Sequence, residues 1–260
     1  MKAGLKAVLS LTMLAGLLAV VPARAEDAPK DTPKDLPKTC EVPAYLLFSE
    51  SSLPKVAAAV KNGGKLDILV VGSRSSTINT LDWTAYPGRL EAVLREKLPS
   101  VKVNVNVELQ IKKTAEEVAA NLAKLIEGKK PTLVIWQTGT VDAMRSVDPD
   151  DFRAAVDDGV AALQSDGTDV ILMNLQYSPR TETMISAAPY IDNMRVVAQQ
   201  HDVPLFDRFA VMRHWNEQGD FDLFSTSHGL ELAKRVHDCI GRALSTFVID
   251  AAHIGPAQQN

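Results

Sequence analysis

The chain has 260 residues, with 28 basic and 32 acidic side chains, five histidines, two cysteines and a formal net charge of −4. That acidic balance excludes a general nucleic-acid or anionic-membrane binder, while leaving room for a local basic pocket. The length suits one sizeable core. With no zinc-ligand spacing, P-loop or dinucleotide glycine motif in the sequence, no metal and no cofactor are expected.

Residues 1–25 read as a signal peptide, with Lys2 and Lys6 before the apolar run "VLSLTMLAGLLAVV" and Ala23-Arg24-Ala25 as the cleavage pattern. The run has 14 residues, short of the roughly 20 that a spanning helix needs. No membrane insertion is therefore expected after cleavage, and the expected location is periplasmic or secreted. Losing Lys2, Lys6 and Arg24 would take the net charge from −4 to −7. Residues 26–39, "EDAPKDTPKDLPKT", are Pro-rich and charged and read as a flexible linker. Cys40 and Cys239 are the only cysteines, and in an oxidising compartment such a pair is expected to form a disulfide. The folded domain is expected over 40–250, with a short tail at 251–260.

Within that domain, short apolar runs alternate with amphipathic ones. A helix is expected over 51–64, followed by a strand at 66–72, "LDILVVG", that ends in a serine-rich turn. Helical spacing returns at 86–98, a strand at 101–109, and a helix at 114–128 opened by a Thr114/Glu117 capping box. The strand "PTLVIWQ" (131–137) has no polar alternate positions, which places Trp136 in a core covered on both faces. A helix over 148–167 starts with Asp148, Pro149 and two aspartates, favourable at the positive end of a helix dipole. Strands at 168–176 and 203–207 and helices over 183–200 and 229–249 complete the chain. This alternation implies a parallel α/β sheet whose ligands bind beyond the carboxyl ends of the strands.

Five segments in this order, "VVGSRSST", "YPGRLEAVLREKLP", "PTLVIWQTGTVDAMRSVDPDDF", "VPLFDRFAVMRHWNEQG" and "HGLELAKRVHDCIGRAL", resemble the SGNH (GDSL-type) hydrolases. The resemblance implies a three-layer flavodoxin-like sandwich with a five-stranded parallel sheet in the order 2-1-3-4-5, and ester hydrolysis as the family chemistry. The catalytic letters depart from the family pattern. Arg74 stands where the family serine belongs, Lys112 and Lys113 where an oxyanion-binding glycine is expected, and Val141 where an asparagine donor belongs. His228 and Glu231 occupy the places of the final Asp-x-x-His. Losing one oxyanion donor costs about 10²–10³ in rate, and a carboxylate is a weak base for a serine hydroxyl.

Three readings follow from these residues. In the first, the protein is catalytically impaired and binds a small acylated or anionic ligand, such as a cell-envelope saccharide. Arg74, Lys112, Lys113, Gly139, Thr140, Asp142, Arg145 and Arg180 are then the candidate ligand-binding residues. In the second, an active esterase uses Ser73 or Ser75 with His228, oriented by Glu231 or, under a shifted alignment, by Asp222. The third is a non-catalytic envelope interaction protein. Turn chemistry explains Ser73, Ser75 and Ser76 equally well. His237 reads as a packing or surface residue. Nothing in the sequence sets the oligomeric state.

Overall fold

A computed structural model describes residues 40–78, 82–224 and 229–255. The expected signal peptide and linker, His228 and residues 256–260 lie outside the described residues. The chain runs α1 (Ala44–Leu47), α2 (Pro54–Lys61), β1 (Lys65–Gly72), α3 (Tyr86–Lys97), β2 (Lys102–Leu109), α4 (Ala115–Ile126), β3 (Leu133–Gln137) and α5 (Thr140–Arg145). It continues through α6 (Pro149–Ser165), β4 (Asp169–Met173), α7 (Pro179–Met184), α8 (Ala188–Gln200), β5 (Leu205–Phe206), α9 (Arg208–Glu217) and α10 (Gly229–Ala251). Turns of 3₁₀ helix follow β1 at Arg74–Ser76 and precede α3 at Asp82–Thr84.

The five strands are all parallel, in the order β2-β1-β3-β4-β5. Every residue of β3 and β4 is buried, as the apolar runs 133–136 and 170–173 require of strands covered on both faces. Helices α4, α6 and α8 pack side by side as one layer, and α3 packs on α10 in the other. Trp136 lies fully buried between sheet and helix, against Gly159 of α6, where a Cβ would come within 2.3 Å of the indole. The disulfide Cys40–Cys239 ties the start of the described chain to α10.

Local chemistry sets the helix starts. Thr114 Oγ1 accepts from Glu117 N–H (3.3 Å) and Glu117 Oε2 accepts from Thr114 N–H (2.8 Å), the expected capping box. Asp148 accepts from Asp150 N–H, with Pro149 in the first turn of α6. Helix α2 has no side-chain cap of its own; instead Asp169 Oδ2, at the start of β4, accepts from Lys55 and Val56 N–H at 2.8 and 2.9 Å. Burial raises the Asp169 pKa, with those two amide bonds opposing the shift.

Several elements differ from the sequence expectation: helix α9 is not among the expected helices, and the fifth strand is Leu205–Phe206 rather than 203–207. The fourth strand stops at Met173 rather than 176. Asn174 turns the chain there by donating to Asp207 Oδ1 (2.7 Å) and accepting from Phe209 N–H (2.9 Å). The helix expected over 183–200 is two helices, α7 and α8, because Ser178 and Thr181 cap α7 and Pro189 opens α8.

At the sheet edge, even-numbered residues of β2 turn their peptide groups toward β1, as the bonds Lys102 N–H to Gly64 O (3.1 Å) and Gln110 N–H to Gly72 O (2.7 Å) show. Odd-numbered residues therefore face outward. Two outward groups are met by side chains of α3: Arg95 Nε donates to Val103 O (2.9 Å), and Val105 N–H donates to Glu91 Oε2 (3.1 Å). Glu91 and Arg95 are themselves an ion pair.

Candidate active-site cleft

The loops after β1, β2 and β3 converge, as the strand order demands. They enclose a recess lined by Gly72, Ser73, Gln110, Lys113, Trp136, Gln137, Gly139, Thr140 and Val141, among others. Its volume is about 310 Å³ with the open mouth included, but only about 10 Å³ is free for the centre of a water-sized atom. That is room for about one oxygen atom. The recess is narrow.

Its floor is a hydrogen-bonded cluster. Gly72 lets the chain fold back so closely that a Cβ there would lie 2.1 Å from Ser76 Oγ. Ser76, buried, accepts from Ser73 N–H (3.1 Å) and donates to Gln137 Oε1 (2.8 Å). Tyr86 O–H donates to the same Oε1 at 3.0 Å. With its oxygen so engaged, the Gln137 amide directs Nε2–H₂ at Ser73 Oγ (2.9 Å) and Ser75 Oγ (2.8 Å). The two serine oxygens are 3.2 Å apart.

Behind them lies Arg208, at the start of α9 and 0% exposed. Its Nη1 donates to Ser75 Oγ (3.1 Å), and its Nη2 donates to Ser75 O (3.2 Å) and Gln176 Oε1 (3.3 Å). The guanidinium carbon stands 5.6 Å from the Tyr86 ring centroid. No carboxylate pairs with Arg208 among the described residues, and its buried Nε bonds to no protein atom. Burial pulls its pKa down to about 10, so it remains charged at neutral pH. Burial likewise raises the Tyr86 phenol.

His237 stacks on the Tyr86 ring at 5.9 Å, and its Nδ1 accepts from Tyr86 N–H (2.9 Å). Burial first, and the Arg208 charge second, push its pKa down to about 3. It is a neutral packing residue whose Nδ1 lone pair is already committed.

The expected site residues divide into those the fold gathers and those it does not. Ser73, Lys113, Gly139, Thr140 and Val141 line the recess. Gly139 has φ 94°, and a Cβ there would meet Leu175 at 2.6 Å. Ser75 lies beneath the recess, held by Gln137 and Arg208. Arg74 is exposed. Lys112 holds the glycine-like conformation, φ 61°, and its carbonyl accepts from Arg145 Nη2 (2.9 Å). Arg145 also faces Glu117 at 3.5 Å. Arg180 is exposed on α7 and is not part of the recess wall. Asp142 is buried, accepts from Ala115 N–H at 2.8 Å and joins α4 to α5; burial raises its pKa. Glu231 is exposed and bonded to Lys234 at 2.7 Å. His228 lies outside the described residues. Sequence reasoning missed Gln137, Tyr86 and Arg208. An arginine inside the apolar run "VPLFDRFAVM" was the one available signal for the last.

A five-stranded parallel sheet in this order, with its cleft after β1, β2 and β3, matches the fold of SGNH hydrolases. The chain belongs to the non-GDSL lipase-like family, whose model matches residues 39–254. Among solved structures, TesA is similar at 19% identity and TM-score 0.54, over 69% of this chain and 98% of that one. A mutant of Axe2, an acetyl-xylooligosaccharide esterase from Geobacillus Stearmophilus, is similar at 14% identity and TM-score 0.58, over 76% and 99%. AlinE4, an SGNH-hydrolase family esterase, matches at 17% identity and TM-score 0.51, over 63% and 85%. Among curated proteins, none matches the sequence.

Proposed function

We propose that this is an exported member of the SGNH ester-hydrolase superfamily that is catalytically impaired and binds an acylated or anionic ligand at the recess. One observation carries the reading: the position of the family nucleophile is an exposed arginine, Arg74, while the neighbouring Ser75 is locked beneath the recess. Ser75 Oγ accepts from both Arg208 and Gln137, which occupies the two lone pairs a hydroxyl has and leaves none to attack a carbonyl. Val141 presents an apolar side chain to the recess where a donor amide would be needed. The one described histidine near the cluster, His237, is committed to Tyr86 N–H. Export is supported by the Cys40–Cys239 disulfide. Among the described residues no helix is long and apolar enough to cross a membrane.

A second reading, an esterase acting through Ser73 and His228, is favoured by the place of Ser73 in the recess wall. Assay of the protein with short-chain acyl esters, beside Arg74→Ser and His228→Ala, separates the two. The impaired reading expects no turnover by wild type and none restored by Arg74→Ser. Wild-type turnover abolished by His228→Ala would replace it with the second.

A further inference from the structure

The protons of the floor cluster can be assigned one by one. Ser75 Oγ accepts from Arg208 Nη1 and Gln137 Nε2, so its own hydrogen is directed at Ser73 Oγ, 3.2 Å away. Ser73 Oγ then accepts from Ser75 and from Gln137 Nε2. Its hydrogen has no acceptor among the described residues, and Ser73 is a wall of the recess. The chain of donors thus starts on a buried cation and ends on an outward hydroxyl. Each bond polarises the next.

We propose that Arg208 is the positioning residue of a carboxylate site: acting through Ser75, it presents the Ser73 hydroxyl as a donor to one oxygen of a ligand carboxylate seated in the recess. This rests on the ligand-binding reading above and names the ligand's chemistry. Charge selects the class. Arg208 has no carboxylate partner among the described residues, no acidic side chain lines the recess, and Lys113 stands in its wall with Glu117 3.7 Å from its Nζ. A net negative ligand is favoured over a neutral ester or amide. Size selects further: about 10 Å³ of free space seats one oxygen, leaving the second carboxylate oxygen at the mouth. An apolar body suits the surroundings, because Val71, Val118, Trp136 and Val141 line the recess.

The test is calorimetric and NMR titration of the intact protein with octanoate, octanamide and inorganic phosphate. Octanoate is expected to shift the Ser73 and Thr140 amide resonances and to bind at least about tenfold more tightly than octanamide. Ser75→Ala breaks the donor chain while keeping the Arg208 charge. It is expected to weaken octanoate about tenfold, with octanamide little changed, and Ser75→Thr to restore the preference. A purely structural role for Ser75 would move both ligands together. Urea midpoints of both variants verify folding, and Arg208→Lys, which keeps charge but loses the two-pronged contact, gives an independent arm with the same expected loss. Equal binding of octanoate and octanamide, an unchanged ratio in Ser75→Ala, preference for phosphate, or no binding of octanoate overturns the proposal. Hydrolysis of octanoyl esters by wild type would instead overturn the impaired-enzyme reading, and leaves the ligand ratio to be judged separately.

Discussion

Acid should weaken this fold through one imidazole. In the unfolded chain His237 takes up a proton near pH 6.5, whereas in the folded protein burial and the Arg208 charge hold it neutral down to about pH 3. Above the unfolded value both states are neutral and the stability is complete. Below it the unfolded state binds a proton that the folded state refuses, so stability falls as the pH falls, by about 1.4 kcal/mol per unit. Half a proton is already bound at pH 6.5, so between pH 6.5 and pH 4.5 the loss is about 2.3 kcal/mol, or about 1 M in urea midpoint for a chain of this size. Asp142 and Asp169 have raised values and act in the opposite direction, so the wild-type slope alone does not isolate the histidine. His237→Asn does. Its amide oxygen can take the bond from Tyr86 N–H that Nδ1 now accepts, but it cannot titrate. The expected result is a variant weaker at pH 7 through lost packing, whose midpoint falls by about 1 M less than wild type on going to pH 4.5. Parallel slopes, or an NMR titration of the folded imidazole near pH 6.5, would refute the reasoning.

Three other substitutions probe the scaffold, each by urea denaturation. Lys112→Gly is expected to be neutral or to stabilise by up to about 1 kcal/mol, since φ 61° strains a lysine, whereas Lys112→Val should destabilise by more than about 1 kcal/mol because a branched Cβ is worse there. Gly72→Ala should cost about 1–3 kcal/mol, and Ser76→Gly, which removes the atoms that the new Cβ strikes at 2.1 and 2.8 Å, should make the double variant less damaged than the sum of the singles. Asp169→Ala, which leaves Lys55 and Val56 N–H without their acceptor, should cost about 1–3 kcal/mol; Asp169→Asn should recover part of that loss.

The sheet was legible because its signals are local. Unbroken apolar runs such as 133–136 identify strands buried on both faces, and the Thr114/Glu117 box marks a helix start within four residues. The disulfide followed from there being two cysteines. The floor of the cleft was not legible, because its members meet only in three dimensions: Ser75 and Arg208 are 133 residues apart, and Tyr86 and His237 are 151 apart. Local pattern also misjudged the end of β4, where Asn174 trades a ladder position for bonds to Asp207 and Phe209. The loop cations looked alike in the sequence; only the fold separates Lys113, in the recess wall, from Arg145, tied to Lys112 O, and from Arg180 out on α7.

The ion pair that α3 lays along β2 bears on how this protein meets copies of itself. An edge strand with alternating valines is a template on which another chain can grow a sheet. Here a newcomer would first have to strip Arg95 from Val103 O and Glu91 from Val105 N–H. It would then leave two charges with their mutual contact but no peptide partner. The same two side chains that hold helix to sheet thus serve as a stopper on polymerisation. The rest of the strand, through Val107 and Leu109, carries no such guard and is partly exposed.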